Sequence, residues 1–230
     1  MRTLPASLLF LIVLGAGAGA QNAGVGAQDP DRLFIRPWIE LQPLLGRPEL
    51  GEPQKPMKTA EQELLEEGRV LFSAMIYGWT FTYIPGDLSR QVKESFTLTP
   101  VAEIPQGSAR LEVRETEREE AKLWARMSYA LNDDESRRRL AWESNTAALS
   151  SGRGEGKLSD GASARMASLR DAVRDAIRRS LDSRWINKPR QVDGEVVLWD
   201  DPIILVGSGA YSTSAKVKLL IRELVPYRIF

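Results

Sequence analysis

Residues 109–131 read ARLEVRETEREEAKLWARMSYAL, and whether they form one charged helix or two strands decides the fold class. The residue types favour a helix, since Glu, Arg, Ala and Leu all have high helix propensity. The spacing opposes it. Leu111 and Val113, then Leu123, Ala125, Met127, Tyr129 and Leu131, all stand at odd positions, with Trp124 the main apolar residue at an even one. An amphipathic helix needs apolar residues three and four apart on a continuous stripe, and the charged middle supplies none. Alternation with a period of two marks a half-buried strand. The stretch therefore reads as a hairpin, with strands near 109–117 and 120–131 and its charges at an exposed tip.

Upstream, Thr59 and Gln62 are spaced as a capping box ahead of a short helix that Gly68 would end. Residues 69–84, RVLFSAMIYGWTFTYI, are aromatic and branched, and Met75, Tyr77, Trp79, Phe81 and Tyr83 alternate as on one face of a strand. Pro85-Gly86-Asp87 breaks the chain before a second strand carrying Phe96, Leu98, Ala102 and Ile104. Downstream, Asn132-Asp133-Asp134-Glu135 reads as the start of a helix running to about Leu149, its acids at the positive end of the dipole. Residues 150–161, SSGRGEGKLSDG, read as a loop. Met166, Leu169, Val173, Ile177 and Leu181 then form the apolar face of a longer helix, and strands are expected over 195–199, 203–211 and 216–224. The expected class is α+β: antiparallel meander and hairpins with one long amphipathic helix packed on the sheet, preceded by a proline-rich extended arm.

That arm covers residues 21–57, where recurrent prolines fix the backbone and remove donors. Its apolar side chains, Phe34 and Trp38 among them, are too many for a spacer and call for a surface to pack on, within this chain or on a partner. Before it, MRTLPASLLFLIVLGAGAGA has a basic start, a short apolar run and small residues at 18 and 20, the pattern of a secretory signal peptide over 1–20, with a second cleavage position after Ala27. Residues 58–230 are expected to form a single domain. The chain has no cysteine, which suits an exported protein of a bacterial periplasm or envelope better than a small disulfide-stapled extracellular domain. Attachment to a membrane is expected only through an uncleaved leader.

Chemistry is bounded by what is missing. With neither histidine nor cysteine, conventional catalytic triads and zinc sites are excluded. Lysine plus arginine balance aspartate plus glutamate at 31 each, so no net field draws the chain to nucleic acid. The stretch from Ser151 to Leu158 resembles a P-loop only in part, because Ser151 replaces the first glycine and Leu158 the magnesium-binding hydroxyl; no nucleotide is expected. Asp133, Asp134 and Glu135 lack the spacing of a calcium loop, and Ser212, Ser214 and Lys216 read as a turn or bulge rather than a nucleophile with its base. The terminal Phe230 resembles the end of an outer-membrane barrel strand, but Pro226 and Arg228 oppose it.

The sequence thus favours an exported, non-catalytic envelope protein that binds or assembles with another envelope protein or with itself, without cofactor or metal. Candidate binding residues are Tyr77, Trp79 and Tyr83 on the aromatic face, which reads first as core under the long helix and as a binding platform only if exposed, Phe34 and Trp38 on the arm, and Arg114 and Arg118 at the hairpin tip. The alternative is a glycan-binding module that stacks sugar rings on that aromatic face, with a carboxylate-based hydrolase third.

Overall fold

The computed structural model describes residues 31–41, 59–144, 146–161, 163–182 and 188–227. The leader at 1–20 and the parts of the arm at 21–30 and 42–57 lie outside these residues. The opening stretch is a hairpin: β5 (Leu111–Glu119) pairs antiparallel with β6 (Lys122–Ala130). On the far side of β6 run β1 (Arg32–Ile35) and β2 (Trp38–Glu40), so part of the arm is a sheet edge. The two are one strand in all but name. Both keep the same alignment on β6, and between them the Pro37 carbonyl still accepts from the Ala125 N–H at 3.0 Å. Proline has no donor to give, and an edge is where a sheet tolerates that.

Thr59 and Gln62 do form the capping box, but the helix they start, α1 (Ala60–Ile76), runs well past Gly68. The strand expected over 69–84 is accordingly only β3 (Trp79–Ile84), paired with β4 (Ser95–Pro100). Tyr77 is the C-cap of α1, not a strand residue. The last turn of α1 carries no basic residue of its own; Arg139 and Arg138, from α2 (Asp133–Trp142), donate to the Met75 and Tyr77 carbonyls at 3.0 and 3.3 Å. Helix α2 also stops short of the expected Leu149.

Residues 150–161 correct the sequence reading most sharply. They belong largely to β7 (Ala148–Lys157), a strand of the second sheet, on which α3 (Ser163–Asp182) lies. The glycines are there for contact. A methyl on Gly154 would stand 2.2 Å from the Ala172 nitrogen and 2.3 Å from the Ser168 carbonyl oxygen, and Gly152 and Gly156 meet the helix backbone as closely. The facing stripe of α3 is Ala164, Ser168, Ala172 and Ala176, so helix and strand meet main chain against side-chain stubs.

The second sheet runs β4-β3-β8-β10-β7, where β8 is Gln191–Leu198 and β10 is Ala210–Val225; β9 (Ile203–Gly207) also pairs with β10. The strand expected over 203–211 is instead the β9–β10 hairpin, turned by Ser208 and Gly209 in the left-handed region. Every strand pairing among the described residues is antiparallel, and together with the three α-helices this makes the protein α+β. One apolar cluster joins both sheets to α1 and α3, from Met127 and Tyr129 of β6 through Phe72 and Ile76 to Val173, Val196 and Leu219.

Candidate functional site

A bulge in β5 decides what the outer face of the first sheet presents. Val113 pairs with Met127 and Glu115 with Arg126, so Arg114 is an extra residue. One inserted residue sends every later side chain to the opposite face. Glu115, Glu117 and Glu119 thereby join Glu112 outside, in register with Arg126, Trp124, Lys122 and Ser128. Arg118 turns the other way and meets Glu61 of α1 at 3.4 Å. Without the bulge, three carboxylates would point toward that helix.

The face therefore has columns. The β5 column is glutamate. The β6 column mixes Ser128, Arg126, Trp124 and Lys122. The β1 column is Arg32, Phe34 and Arg36, with Phe34 opposite Ser128. Arg32 and Arg114 both donate to the Ser128 hydroxyl, at 3.1 and 2.9 Å, and Arg32 also reaches Glu112 at 2.9 Å. Arg36 pairs with Glu117 at 3.0 Å with its guanidinium 5.0 Å from the Trp124 ring, while Arg126 pairs with Glu115 at 3.2 Å. Most of these charged side chains are about half exposed, and such pairs contribute about 0–1 kcal/mol each. They order the face without locking it. Between Phe34, Arg36, Arg114, Glu115, Arg126 and Asp201 lies a cleft of about 640 Å³.

Asp201, in the link between β8 and β9, closes one end of this cleft. Its Oδ2 accepts the Arg36 N–H at 2.8 Å, while Oδ1 is buried without a partner. Burial pushes its carboxyl up to about 6, with Glu67 and Asp200 adding repulsion that the Arg36 N–H only partly offsets. A carboxyl held near neutral pH suits a general acid, but this one's free oxygen is closed off and its companion, Glu115, is paired with Arg126.

At one end of the same face, Trp38 packs against Trp124, ring centroids 5.8 Å apart, is covered by Ile204 and Tyr211, and ties the two sheets together. Its indole N–H donates to the Ile204 carbonyl at 3.0 Å, and its own carbonyl accepts from Arg165 at 2.6 Å. Arg165 in turn grips Glu67 through two bonds of 2.9 and 2.7 Å, with both side chains almost wholly buried. Burial lowers the Arg165 pKa, but the Glu67 bonds outweigh it and the net direction is up, so the guanidinium stays charged.

Of the residues singled out from sequence, Phe34 and Arg114 are on the outer face, where their side chains meet with the guanidinium 5.8 Å from the ring. Arg118 faces inward. Trp38 is buried in the tie. The aromatic face of 75–83 takes the core reading and not the binding one: Trp79, Phe81 and Tyr83 are buried, and Tyr77 donates to buried Glu135 at 2.5 Å. Burial, then the Glu135 bond, raises the Tyr77 hydroxyl to about 12. Glu135 also binds Arg110, Tyr129 and the Asn132 N–H; burial pushes its carboxyl up, but these donors pull it below its usual value. That cluster is a structural knot with every partner supplied from within. Sequence reasoning missed Arg36, Trp124, Arg126 and Asp201; the even positions of the second hairpin strand carried the signal for Trp124 and Arg126.

The chain is an α+β protein whose smaller sheet carries a charged, aromatic outer face. A protein-family model matches residues 23–227, and the chain belongs to that family, whose function is unknown. An uncharacterized protein of Treponema pallidum (strain Nichols) is 25% identical over 193 residues, covering 84% of this chain and 80% of that one. No solved structure matches the chain.

Proposed function

We propose that this is an exported, non-catalytic envelope protein that acts by binding or assembling with other proteins through the outer face of its first sheet. The observation that carries this reading is the face itself. Phe34 is 47% exposed within a framework of arginine and glutamate pairs, beside an open cleft. Exposed aromatics and arginines are what protein interfaces concentrate. The missing histidine and cysteine, and the closed oxygen of Asp201, support a non-catalytic role. Export rests on the leader-like pattern of residues 1–20. In this reading α3 is the long amphipathic helix that stiffens the second sheet, and the arm's contribution is to supply β1 and β2 to the binding face.

A photo-crosslinking residue placed at Phe34 or Glu115 tests this in cells, with Leu88, 98% exposed between β3 and β4 of the second sheet, as the control position. Protein adducts from the first two and none from Leu88 are expected. If neither position captures protein, and cell-wall material co-purifies instead, the binding-protein reading gives way to the glycan one.

A further inference from the structure

We infer that β4 is a docking edge, and that it pairs antiparallel with β4 of a second copy about a two-fold axis through Thr97, perpendicular to the sheet. The inference concerns the second sheet and does not rest on the face described above. Its basis is how the sheet edges are finished. β5 is charged along most of its length and bulged at Arg114. Along β1 and β2, Pro37 has no donor and the Arg36 N–H is taken by Asp201. β9 gives its Ile204 carbonyl to Trp38. On β7, the Arg153 and Glu155 N–H groups donate to Asp175 and Asp171 of α3, at 3.0 and 3.2 Å. Charge, proline, bulges and covering groups are the means by which an edge is kept from pairing. β4 reads SFTLTP and has only a proline, at its last residue.

The ladder shows which groups β4 offers. The Val101 N–H donates to the Gly78 carbonyl at 3.1 Å, and the register continues with Thr80 opposite Thr99 and Thr82 opposite Thr97. Bonded pairs alternate along an antiparallel ladder, so Phe96, Leu98 and Pro100 turn their main-chain groups outward. Among the described residues, nothing bonds to the N–H or carbonyl of Phe96 or Leu98. Past Pro100 the chain turns to α1, where the N–H of buried Ile104 donates to Ser73 at 3.0 Å, and does not pair along β4. The Phe96 and Leu98 side chains pack on the apolar cluster yet stay partly exposed. A strand that completes this edge needs outward main-chain groups and apolar side chains at the same alternate positions, without charge. β4 itself meets those conditions. A two-fold at Thr97 sets Phe96 opposite Leu98 of the second copy as a bonded pair, twice over, as an isologous contact requires. Both free donors and both free acceptors are then used, each Phe96 ring lies beside a leucine, and Pro100 falls outside these pairs.

Position 97 gives the test, because it lies on the axis and its exposed side chain points away from the core. Sedimentation equilibrium of the purified protein should show a dimer at about 100 μM. The paired edge is uncharged, so raising salt from about 0.05 to about 0.5 M should leave that dimer in place. Thr97→Lys and Thr97→Glu each set like charges side by side across the axis, and each should weaken association at least about tenfold. An equimolar mixture should recover a dimer, now sensitive to salt, since lysine faces glutamate; recovery also shows both variants to be folded. Hydrogen exchange gives a second reading: on raising the concentration, the Phe96 and Leu98 amides should slow more than that of Thr97, which already pairs with Thr82. A parent that stays monomeric to about 500 μM overturns the inference, as does a dimer that both variants leave unchanged or a mixture no stronger than its components. Slow exchange at Phe96 and Leu98 in a monomeric parent would mean that another part of the chain covers the edge, and would overturn it as well.

Discussion

Asp201 holds the Arg36 N–H at the seam between the sheets with a carboxyl whose second oxygen has no partner. Its pKa rises from 3.8 to about 6 on folding, so the folded state binds the proton more tightly than the unfolded chain. Its contribution is therefore fully present below about pH 4 and is lost as pH climbs through about 6, an effect on the order of 3 kcal/mol. Asp201→Asn keeps an acceptor for Arg36 and carries no charge at any pH. Urea unfolding at a series of pH values should show the variant gaining on the parent between pH 4 and 7; a constant difference would refute this account of the site. The Glu67–Arg165 pair behaves differently. Removing one member leaves a buried charge alone, so Glu67→Ala should cost about 3–5 kcal/mol. Replacing both by apolar residues, Glu67→Leu with Arg165→Met, should cost much less than Glu67→Ala, which a denaturant-unfolding comparison of the two variants can check.

At the scale of elements, glycine is where the sequence is hardest to read. Gly68 looks like a helix end, yet it sits mid-helix because a methyl there would stand 2.4 Å from the Met127 sulfur of β6. In β7 the glycines at 152, 154 and 156 repeat with strand period, but their composition is that of a loop, and only the approach of α3 explains them. Gly154→Ala, aimed at helix backbone that cannot rotate away, should lose about 3 kcal/mol or more, whereas Gly207→Ala points into open space and should stay within about 0.5 kcal/mol. Equal thermal shifts for the two would show the strand–helix contact to be looser than described. The hairpin of 109–131 was legible because its inner face alternates without interruption on β6, from Leu123 to Tyr129. The bulge at Arg114 was not: a one-residue slip leaves no trace in residue types when both faces of the strand are charged. The outer face, which the bulge creates, was hidden for the same reason. The 69–84 stretch misled in the opposite way, since Met75 and Tyr77 continue the alternation of β3 backward into residues that α1 buries or caps.

For the whole molecule, the question is how the two sheets share stability. The apolar cluster joins them through α1 and α3, but the first sheet hangs from it by one face only, and β5 is exposed along most of its length. The second sheet has its centre in β8 and β10, where Val196, Val197, Val217 and Leu219 are essentially inaccessible to solvent. Local opening follows such differences, so the β5–β6 tip should exchange its amides first and β8 with β10 last. Trp38 is the residue that can separate the two behaviours. Trp38→Phe retains a ring in the pocket formed by Ala164, Ile204 and Tyr211 but removes the donor to the Ile204 carbonyl, a loss worth about 1–3 kcal/mol in a buried position. If the tie works as placed, hydrogen exchange should quicken in β1, β2, β5 and β6 while β8 and the centre of β10 keep the parent's protection. Uniform acceleration across both sheets would instead mean that the first sheet opens only with the whole, and that its outer face is held by the core itself and not by the seam at Trp38.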